Sequence, residues 1–556
     1  MNTTNGTFTS NSSDTVYDFI VVGGGSAGCV LARRLAENPE ASVLLLEAGP
    51  DDAGLDAIST ASGWAGLLGG SYDWGYSYDP APAAANRSIP IPRGKVLGGS
   101  GSINAMLWYR GHRDDYNRWA AGGATGWDYE SLLPYFKKSE DWQYGETEYR
   151  GAGGPLRIET SPDPHPVAAA LLTGAAELGL SVLEDANAAS NEGAALANFN
   201  AATGPDGILR RVSPSAAYLR PAAGWPNLCI RTNTSARRLV IERGRAAGVI
   251  ISPTATPGSR GNSSDTATIR ARAGVVLTLG AIDTPRLLML SGIGDTPQLR
   301  AAGIEPLLHL PGVGANFQDH PLLMGVNFRL RAPLDPIRDN GGGAMLNWRS
   351  QSADHRPDLH AFVVQGRHTN PALAKQYGVD GDVCAVSPGL MRSQSIGSIR
   401  LLDAAGKLSI DPNYLAEQAD LDALVESLDW MLDLAATSGY AGLLERPLSP
   451  PRRLDRAEAV AFVRASVDTF FHCSGTAKMG ADEASVVTPE LAVRGLEGLW
   501  VADASVIPEI PTCNLQAPVV AIAERAAELI ATASGIRPAS AASIATATPA
   551  TPTATR

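Results

Sequence analysis

Residues 17–50, YDFIVVGGGSAGCVLARRLAENPEASVLLLEAGP, decide the fold. The apolar run 19–22 is too short to cross a membrane and suits a parallel strand buried on both faces. A turn follows at once, with Gly23, Gly25 and Gly28 in a GxGxxG pattern, and residues 29–35 continue in helical period. A second apolar run, 43–46, ends in Glu47. In this order the first glycine permits the sharp turn, the second lets backbone approach a pyrophosphate, and the third lets the helix pack close to the strand. The helix N-terminus adds unpaired N–H groups and a positive dipole end for phosphate. Glu47 stands nineteen residues after Gly28, where an acidic side chain accepts hydrogen bonds from ribose hydroxyls. Strand, turn, helix, strand and terminal acid together predict a dinucleotide-binding α/β unit, and they leave FAD and NAD undecided.

Composition bounds the rest. The chain has 556 residues, long enough for two sizeable domains, with 44% hydrophobic and 18% charged residues. A net charge of −12 argues against a nucleic-acid or anionic-membrane partner. Cys29, Cys229, Cys384, Cys473 and Cys513 form no CxxC pair, so neither a metal site nor a disulfide framework is indicated and a reducing, cytoplasmic compartment is expected. The opening MNTTNGTFTSNSSDTV has no basic start and no apolar core, which speaks against a secretory signal. Glycosylation triplets at Asn2, Asn5, Asn11, Asn86, Asn233 and Asn262 matter only in an exported protein. No apolar run is long enough for a membrane span.

After Glu47 a Gly- and Ala-rich connection carries Tyr72, Asp73 and Trp74, and PRGKVLGGSGSINAMLWYRGHRDDYNRW follows at 92–119. Its glycines at 94, 98, 99 and 101 make a side-chain-poor segment able to lie flat against a planar ligand. Here the chain resembles the glucose-methanol-choline (GMC) flavoprotein oxidoreductases. GKVLGGSGSIN followed by WYRG matches one family signature, and GAIDTPRLLMLSGIG at 280–294 matches the second. PGVGANFQDHP at 311–321 and the block 472–524 extend the match, which runs in the family's order from about residue 17 to about residue 535. The resemblance implies that the dinucleotide is FAD, bound by a Rossmann-like domain assembled from 17–155, 206–321 and 466–535. Beside it a second α+β domain, 156–205 and 322–465, is expected to hold the substrate on a mainly antiparallel sheet. The ends, 1–16 and 536–556, read as disordered extensions. Helices are expected at 166–178, from about 420 and 457, and at 516–530; strands at 275–279, 322–329, 359–364 and 398–401, with two or three more within 227–251.

TFFHCSGTAKMG places His472 after two phenylalanines. A histidine beside apolar residues is, by itself, more often a hydrogen-bonded core residue than a base. Its neighbourhood changes that reading: forty-two residues on, VADASVIPEIPTCNLQAPVVAIAERAAELI at 501–530 carries Asn514 just before an amphipathic helix. The block resembles the family's final segment, in which a His and an Asn or His face the flavin ring. Oxidising an alcohol requires removal of the hydroxyl proton while the carbinol carbon gives hydride to flavin N5. His472 is therefore expected as general base and Asn514 as its uncharged hydrogen-bonding partner. Asn at this position resembles the choline and hydroxymethylfurfural oxidase branch more than the aryl-alcohol oxidase branch.

The resemblance also implies the cofactor contacts. Gly23, Gly25, Ser26, Ala27 and Gly28 belong to the glycine turn, and Glu47 and Ala48 to the end of the second strand. Trp74, Val96, Gly101, Asn104 and Ala105 come from the first-signature region, with Asn104 beside the isoalloxazine. Ala236 matches the residue whose backbone contacts adenine, and Phe471, Asp503, Ala504, Asn514, Leu515 and Gln516 complete the set. The N-terminus of the 516–530 helix is expected to meet the negative charge of reduced flavin near N1; Asp503 and Ala504 resemble the family's contacts to the ribityl and pyrophosphate region, with helix capping by Asp503 as the lesser alternative. Ile103 stands where some members carry a His bonded to the flavin, so the FAD is expected to be non-covalent. Glu509, usually neutral in relatives, faces either solvent or a polar substrate pocket. The expected function is FAD-dependent oxidation of a small-molecule primary alcohol to its aldehyde, with oxygen or a quinone-like molecule as final acceptor. Hydroxynitrile lyases and a fatty-acid photodecarboxylase share this scaffold and stand as alternatives, and non-enzymatic flavin binding is a remote one.

Overall fold

The computed structural model describes residues 16–161, 164–254 and 266–536. The two extensions, apart from Val16 and Ile536, and the triplets at Asn2, Asn5, Asn11 and Asn262 lie outside the described residues.

Strand β1 (Val16–Val22) pairs in parallel with β2 (Val43–Leu46) on one side and with Ala267–Leu277 on the other. From Phe19 to Val22 and throughout β2 every side chain is buried, which is why both read as unbroken apolar runs rather than as alternation. Leu228–Arg231 extends the sheet beyond β2, Leu499–Val501 adds in parallel to Ala267–Leu277, and Arg245–Pro253 and Thr234–Glu242 continue it antiparallel, giving seven strands. The strand expected at 275–279 is thus the end of a longer one that stops at Leu277, where Thr278 turns the chain toward the glycine loop.

Helix α1 (Ser26–Ala36) starts directly after the glycine turn. Gly23 has φ +105°, and a Cβ there would meet the Thr278 carbonyl at 2.6 Å. At Gly28 a Cβ would stand 1.9 Å from the Gly23 carbonyl oxygen, so the missing side chain lets α1 lie against β1.

A second, eight-stranded antiparallel sheet runs Leu444–Ser449, Asn327–Leu330, Val383–Leu390, Leu359–Val364, Ala344–Trp348, Gly193–Leu196, with Pro321–Leu323 attached beside Val383–Leu390 and Val467–Thr469 beside Pro321–Leu323. The single strand expected at 322–329 is broken. Met324 donates to the Ser466 carbonyl and Gly325 is pressed against Phe462 and Ser466, so the chain steps from pairing with Val467–Thr469 to pairing with Val383–Leu390 and Leu444–Ser449. Strands at Leu359–Val364 and Ser398–Leu401 and helices at Pro166–Glu177, Gln418–Ala435 and Arg456–Ser466 form where the periodicity predicts them. The last helix, Gln516–Ser534, is one turn longer than predicted and packs along α1. Among the described residues no helix is long and apolar enough to cross a membrane.

Gly28→Ala should overpack the α1–β1 contact and destabilise the fold by about 1–3 kcal/mol. A thermal midpoint equal to that of the parent protein would contradict this account of the turn.

Candidate active site

Two helices open onto one cavity of about 900 Å³. α1 begins at Gly25 and the Gln516–Ser534 helix at Leu515, and neither has a side-chain cap, so the N–H groups of both first turns are left for a ligand. The helices are clamped together. Glu524, fully buried, takes a bidentate pair from Arg34 at 2.8 Å and a hydrogen bond from the Tyr218 hydroxyl at 2.9 Å, and Ser26 Oγ donates to Gln516 Oε1 at 3.0 Å.

The glycine turn, Glu47 and Ala48, Ala236, residues 278–283 and Asp503 with Ala504 line one end of the cavity. Gly99 carries φ +57°, and a Cβ on it would sit 2.7 Å from the Gly25 Cα, so the two glycine-rich segments meet backbone to backbone at the cavity floor. Glu47 accepts from Gly24 N at 2.9 Å and Gly49 N at 2.7 Å, tying the turn to the end of β2 while its side chain borders the cavity. Burial pushes its carboxyl up to about 7 against those two hydrogen bonds. Asp503 both lines the cavity and caps, accepting from Ser505 N, Gly280 N and the Thr284 hydroxyl. Two uncapped helix starts, a glycine floor and an acid at the strand end form a cradle that suits a dinucleotide such as FAD.

Of the residues the sequence points to, Gly23, Gly25, Ser26, Ala27, Glu47, Ala48, Trp74, Asn104, Ala105, Ala236, Phe471, His472, Asp503, Ala504, Asn514, Leu515 and Gln516 border the cavity, as does Ile103. Three do not. Gly28 is spent on the α1–β1 contact, Gly101 is wedged against Pro214 and Ser26, and Val96 is buried with Ile58, Leu67 and Ile103. Glu509 also lies off the cavity: it pairs with Arg118 at 3.0 Å and sits 3.6 Å from Arg356, so it belongs to a half-exposed ion cluster.

At the other end His472 and Asn514 meet, with Asn514 Nδ2 3.2 Å from His472 Nε2. The remaining ring nitrogen, Nδ1, lies 2.8 Å from Nδ1 of His320. Asn514 donates to Nε2, so the His472 proton sits on Nδ1 and is given to His320. Phe470 stacks on the imidazole at 4.8 Å between centroids and 15° between planes. The backbone is held from behind: His472 N donates to Asp319 Oδ1 at 2.7 Å, and His320 N to the same oxygen at 2.9 Å. Burial holds the His472 imidazole well below its usual range, and His320, Arg93 and His360 add to the effect. Burial likewise brings His320 and His360 down to about 3 and His368 to about 4.

Asp319, His320, His360, His368 and Arg93 surround the pair and were left unassigned by motif reading. His320 and Asp319 stand inside the quoted PGVGANFQDHP, and that segment's resemblance to the family is the one available signal. His360 and His368 flank a strand end in a region without motifs. Arg211 is a further positioning group, its guanidinium bonded to Asn104 Oδ1 at 2.7 Å and to the Asn104 carbonyl at 2.6 Å.

A dinucleotide cradle continuous with a buried, uncharged imidazole–carboxamide pair defines an oxidoreductase site. Comparison with known proteins agrees. Two GMC oxidoreductase family models match residues 17–322 and 393–523. Human mitochondrial choline dehydrogenase is 36% identical over 552 residues, covering 92% of this chain and 89% of its own. The oxygen-dependent choline dehydrogenase of Brucella anthropi is 36% identical over 544 residues, covering 92% and 95%. Among solved structures, pyridoxine 4-oxidase from Mesorbium loti superposes with a TM-score of 0.86 at 33% identity, covering 92% and 98%, and a formate oxidase variant from Aspergillus oryzae RIB40 with 0.82 at 27% identity, covering 93% and 98%. The chain belongs to the GMC oxidoreductase family, and it is an FAD-dependent oxidoreductase of the class acting on CH–OH groups.

Because their protonated forms are disfavoured, His320, His360 and His368 should stay neutral as pH falls through 6.5, the ordinary imidazole value. Nitrogen NMR of histidine-labelled protein between pH 8 and pH 5 checks this, and a titration of any of the three near 6.5 would contradict it.

Proposed function

We infer that the protein oxidises a primary alcohol to the aldehyde, with His472 as general base and Asn514 as hydrogen-bond partner to the substrate oxygen. The observation that carries this reading is the meeting of His472 Nε2 and Asn514 Nδ2 at 3.2 Å on the wall of the dinucleotide cavity. FAD, when bound, supplies the acceptor for the hydride that leaves the carbinol carbon. It would be held by the two helix starts, the glycine turn and the Glu47 and Asp503 ends, without a covalent bond at Ile103, whose side chain has no atom to form one.

An alcohol oxygen entering between the pair accepts the Asn514 N–H and gives its proton to His472 Nε2. The imidazole is neutral, and therefore able to accept, across the whole physiological range. Once protonated at Nε2 it carries a positive ring, whose Nδ1–H remains bonded to a neutral acceptor, His320 Nδ1. Asn514 stays uncharged throughout and so keeps the oxygen oriented in both states. The carboxamide at this position, where a second imidazole would serve a lyase, favours the redox reading. Oxygen and a quinone-like molecule both fit as final acceptor; the relatives include proteins named as oxidases and as an oxygen-dependent dehydrogenase.

Anaerobic mixing with primary alcohols should bleach the flavin absorbance, and release of peroxide under air separates an oxidase from a dehydrogenase. No bleaching by any alcohol would overturn the reading. His472→Ala should lower kcat/KM by about 10²–10⁴-fold with the flavin retained, and Asn514→Ala by less, about 1–2 kcal/mol in the barrier.

His320 acts through His472 as a positioning residue. His320→Leu should cut kcat by about 10–100-fold with little change in KM, and His320→Gln, whose amide oxygen can still accept the His472 Nδ1–H, should recover most of the loss. Equal losses in the two variants would reduce His320 to a packing role.

A further inference from the structure

His472 is fixed at its backbone by the buried Asp319, and Asn514 needs a comparable hold if the pair is to keep its 3.2 Å spacing. Asn514 ends the loop 507–514, IPEIPTCN, in which Pro508 and Pro511 keep the chain out of helix and sheet. The first half of this loop rests on the segment before Asp319. The Pro508 carbonyl accepts from Asn316 Nδ2 and Gln318 Nε2, each at 3.1 Å, and Ile510 N donates to Gln318 Oε1 at 3.0 Å. Trp119 Nε1 adds a bond to the Glu509 carbonyl at 2.7 Å.

The second half, which carries Asn514, is held by a different carboxylate. Asp115, 2% exposed in the first turn of the helix Arg113–Ala121, accepts through Oδ2 from Thr512 N at 2.8 Å, from the Thr512 hydroxyl at 2.7 Å and from His112 N at 3.0 Å. Its Oδ1 takes Arg356 Nη1 at 3.2 Å, so the buried charge is balanced from the side away from the loop. The two segments touch at Gly111, which has φ +80°. A Cβ there would stand 3.0 Å from Asp115 Oδ2, 3.1 Å from Cys513 Sγ and 3.5 Å from Thr512 N. Cys513 alone separates Thr512 from Asn514, and its N–H closes a tight turn on the Pro511 carbonyl at 2.7 Å.

Asp115, Thr512 and Cys513 do not border the nucleotide cavity, so they reach the site only through the chain they hold. On the far side of Asn514 the helix Gln516–Ser534 is anchored separately, by Arg34 on Glu524 and by Ser26 on Gln516. Loosening Thr512 therefore frees Asn514 and leaves the cofactor cradle in place.

Resting on the reading of Asn514 as partner to the substrate oxygen, we propose that Asp115 is a positioning residue for the reaction. Through Thr512 it sets the direction in which the Asn514 carboxamide faces His472 Nε2 and the alcohol. Its effect passes through Asn514, and a small misplacement of that group is enough to slow the chemical step.

Anaerobic flavin reduction of the FAD-loaded protein tests the assignment, using the fastest of four probes: ethanol, 1-hexanol, benzyl alcohol and choline. Asp115→Asn should slow the limiting rate by about fivefold to tenfold, with flavin content and spectrum unchanged. Combined with Asn514→Ala, the same substitution should cost less than about twofold more, because the group it positions is gone. Should Asp115→Asn fail to fold, Thr512 decides: Thr512→Val should lose about threefold to fivefold, and Thr512→Ser, which keeps the hydroxyl, should stay within about twofold of the parent. An equal loss with and without Asn514, or equal rates for the Val and Ser variants, overturns the positioning role and leaves alcohol oxidation standing. A rate for Asn514→Ala equal to that of the parent overturns the reading of Asn514 and this proposal with it. No reduction by any of the four, or by other primary alcohols, overturns alcohol oxidation as well.

Discussion

A buried carboxylate with five donors holds the reactive end together. Asp319, 4% exposed, receives the hydroxyls of Tyr78 (2.5 Å), Tyr414 (2.6 Å) and Thr469 and the backbone N–H groups of His320 and His472. An isolated carboxylate in such surroundings would be prohibitively costly. Each donor is therefore needed, and together they draw four distant stretches of chain to one point. Both histidines are fixed at the backbone by the same carboxylate oxygen, and their side chains then meet Nδ1 to Nδ1. Phe471, between Thr469 and His472 in the chain of contacts, adopts φ +66°, a left-handed conformation that a non-glycine residue keeps only when its surroundings compel it. The Thr469 hydroxyl receives its N–H at 2.8 Å and Arg93 holds its carbonyl at 2.7 Å.

The second constraint lies at the opposite end, where Glu524 sets the two uncapped helices side by side. Helix ends whose N–H groups have no side-chain cap are usually exposed to water. Here they border a cavity walled by both sheets, which makes sense when the binding of an anionic cofactor completes their hydrogen bonding. The cofactor cradle and the imidazole–carboxamide pair are thus two answers to the same problem of buried polarity, one solved with charge and backbone, the other with neutral groups.

The neutrality of the reacting end follows from burial. His320, His360, His368 and His472 are crowded among phenylalanines, and taking a proton there means placing a cation in a poorly solvated space next to Arg93. In the proposed reaction, a base that is uncharged at rest becomes positive while it holds the alcohol proton.

Much of this architecture is local information. The spacing of Gly23, Gly25 and Gly28 between two apolar runs depends on steric contacts within a few residues, so it reads directly as strand, turn and helix, and Glu47 is found by counting. His472 and Asn514 were legible because the stretches around them resemble a family. The break at Met324–Val326, the placement of Glu509 on Arg118 and Arg356, and the removal of Val96 and Gly101 from the cavity were not legible, since each depends on which surface a distant segment presents. The same holds for His360, which carries no spacing signal and acquires meaning through its neighbours. The amino-acid order by itself determined the dinucleotide unit and singled out His472 and Asn514 as the candidate pair, because short-range sterics and a shared motif suffice for those. Which polar groups are buried together, and hence the protonation of the histidines and the character of the substrate wall, was decided by tertiary structure, because desolvation and hydrogen-bond partnership depend on atoms that are adjacent in space and hundreds of residues apart in the chain.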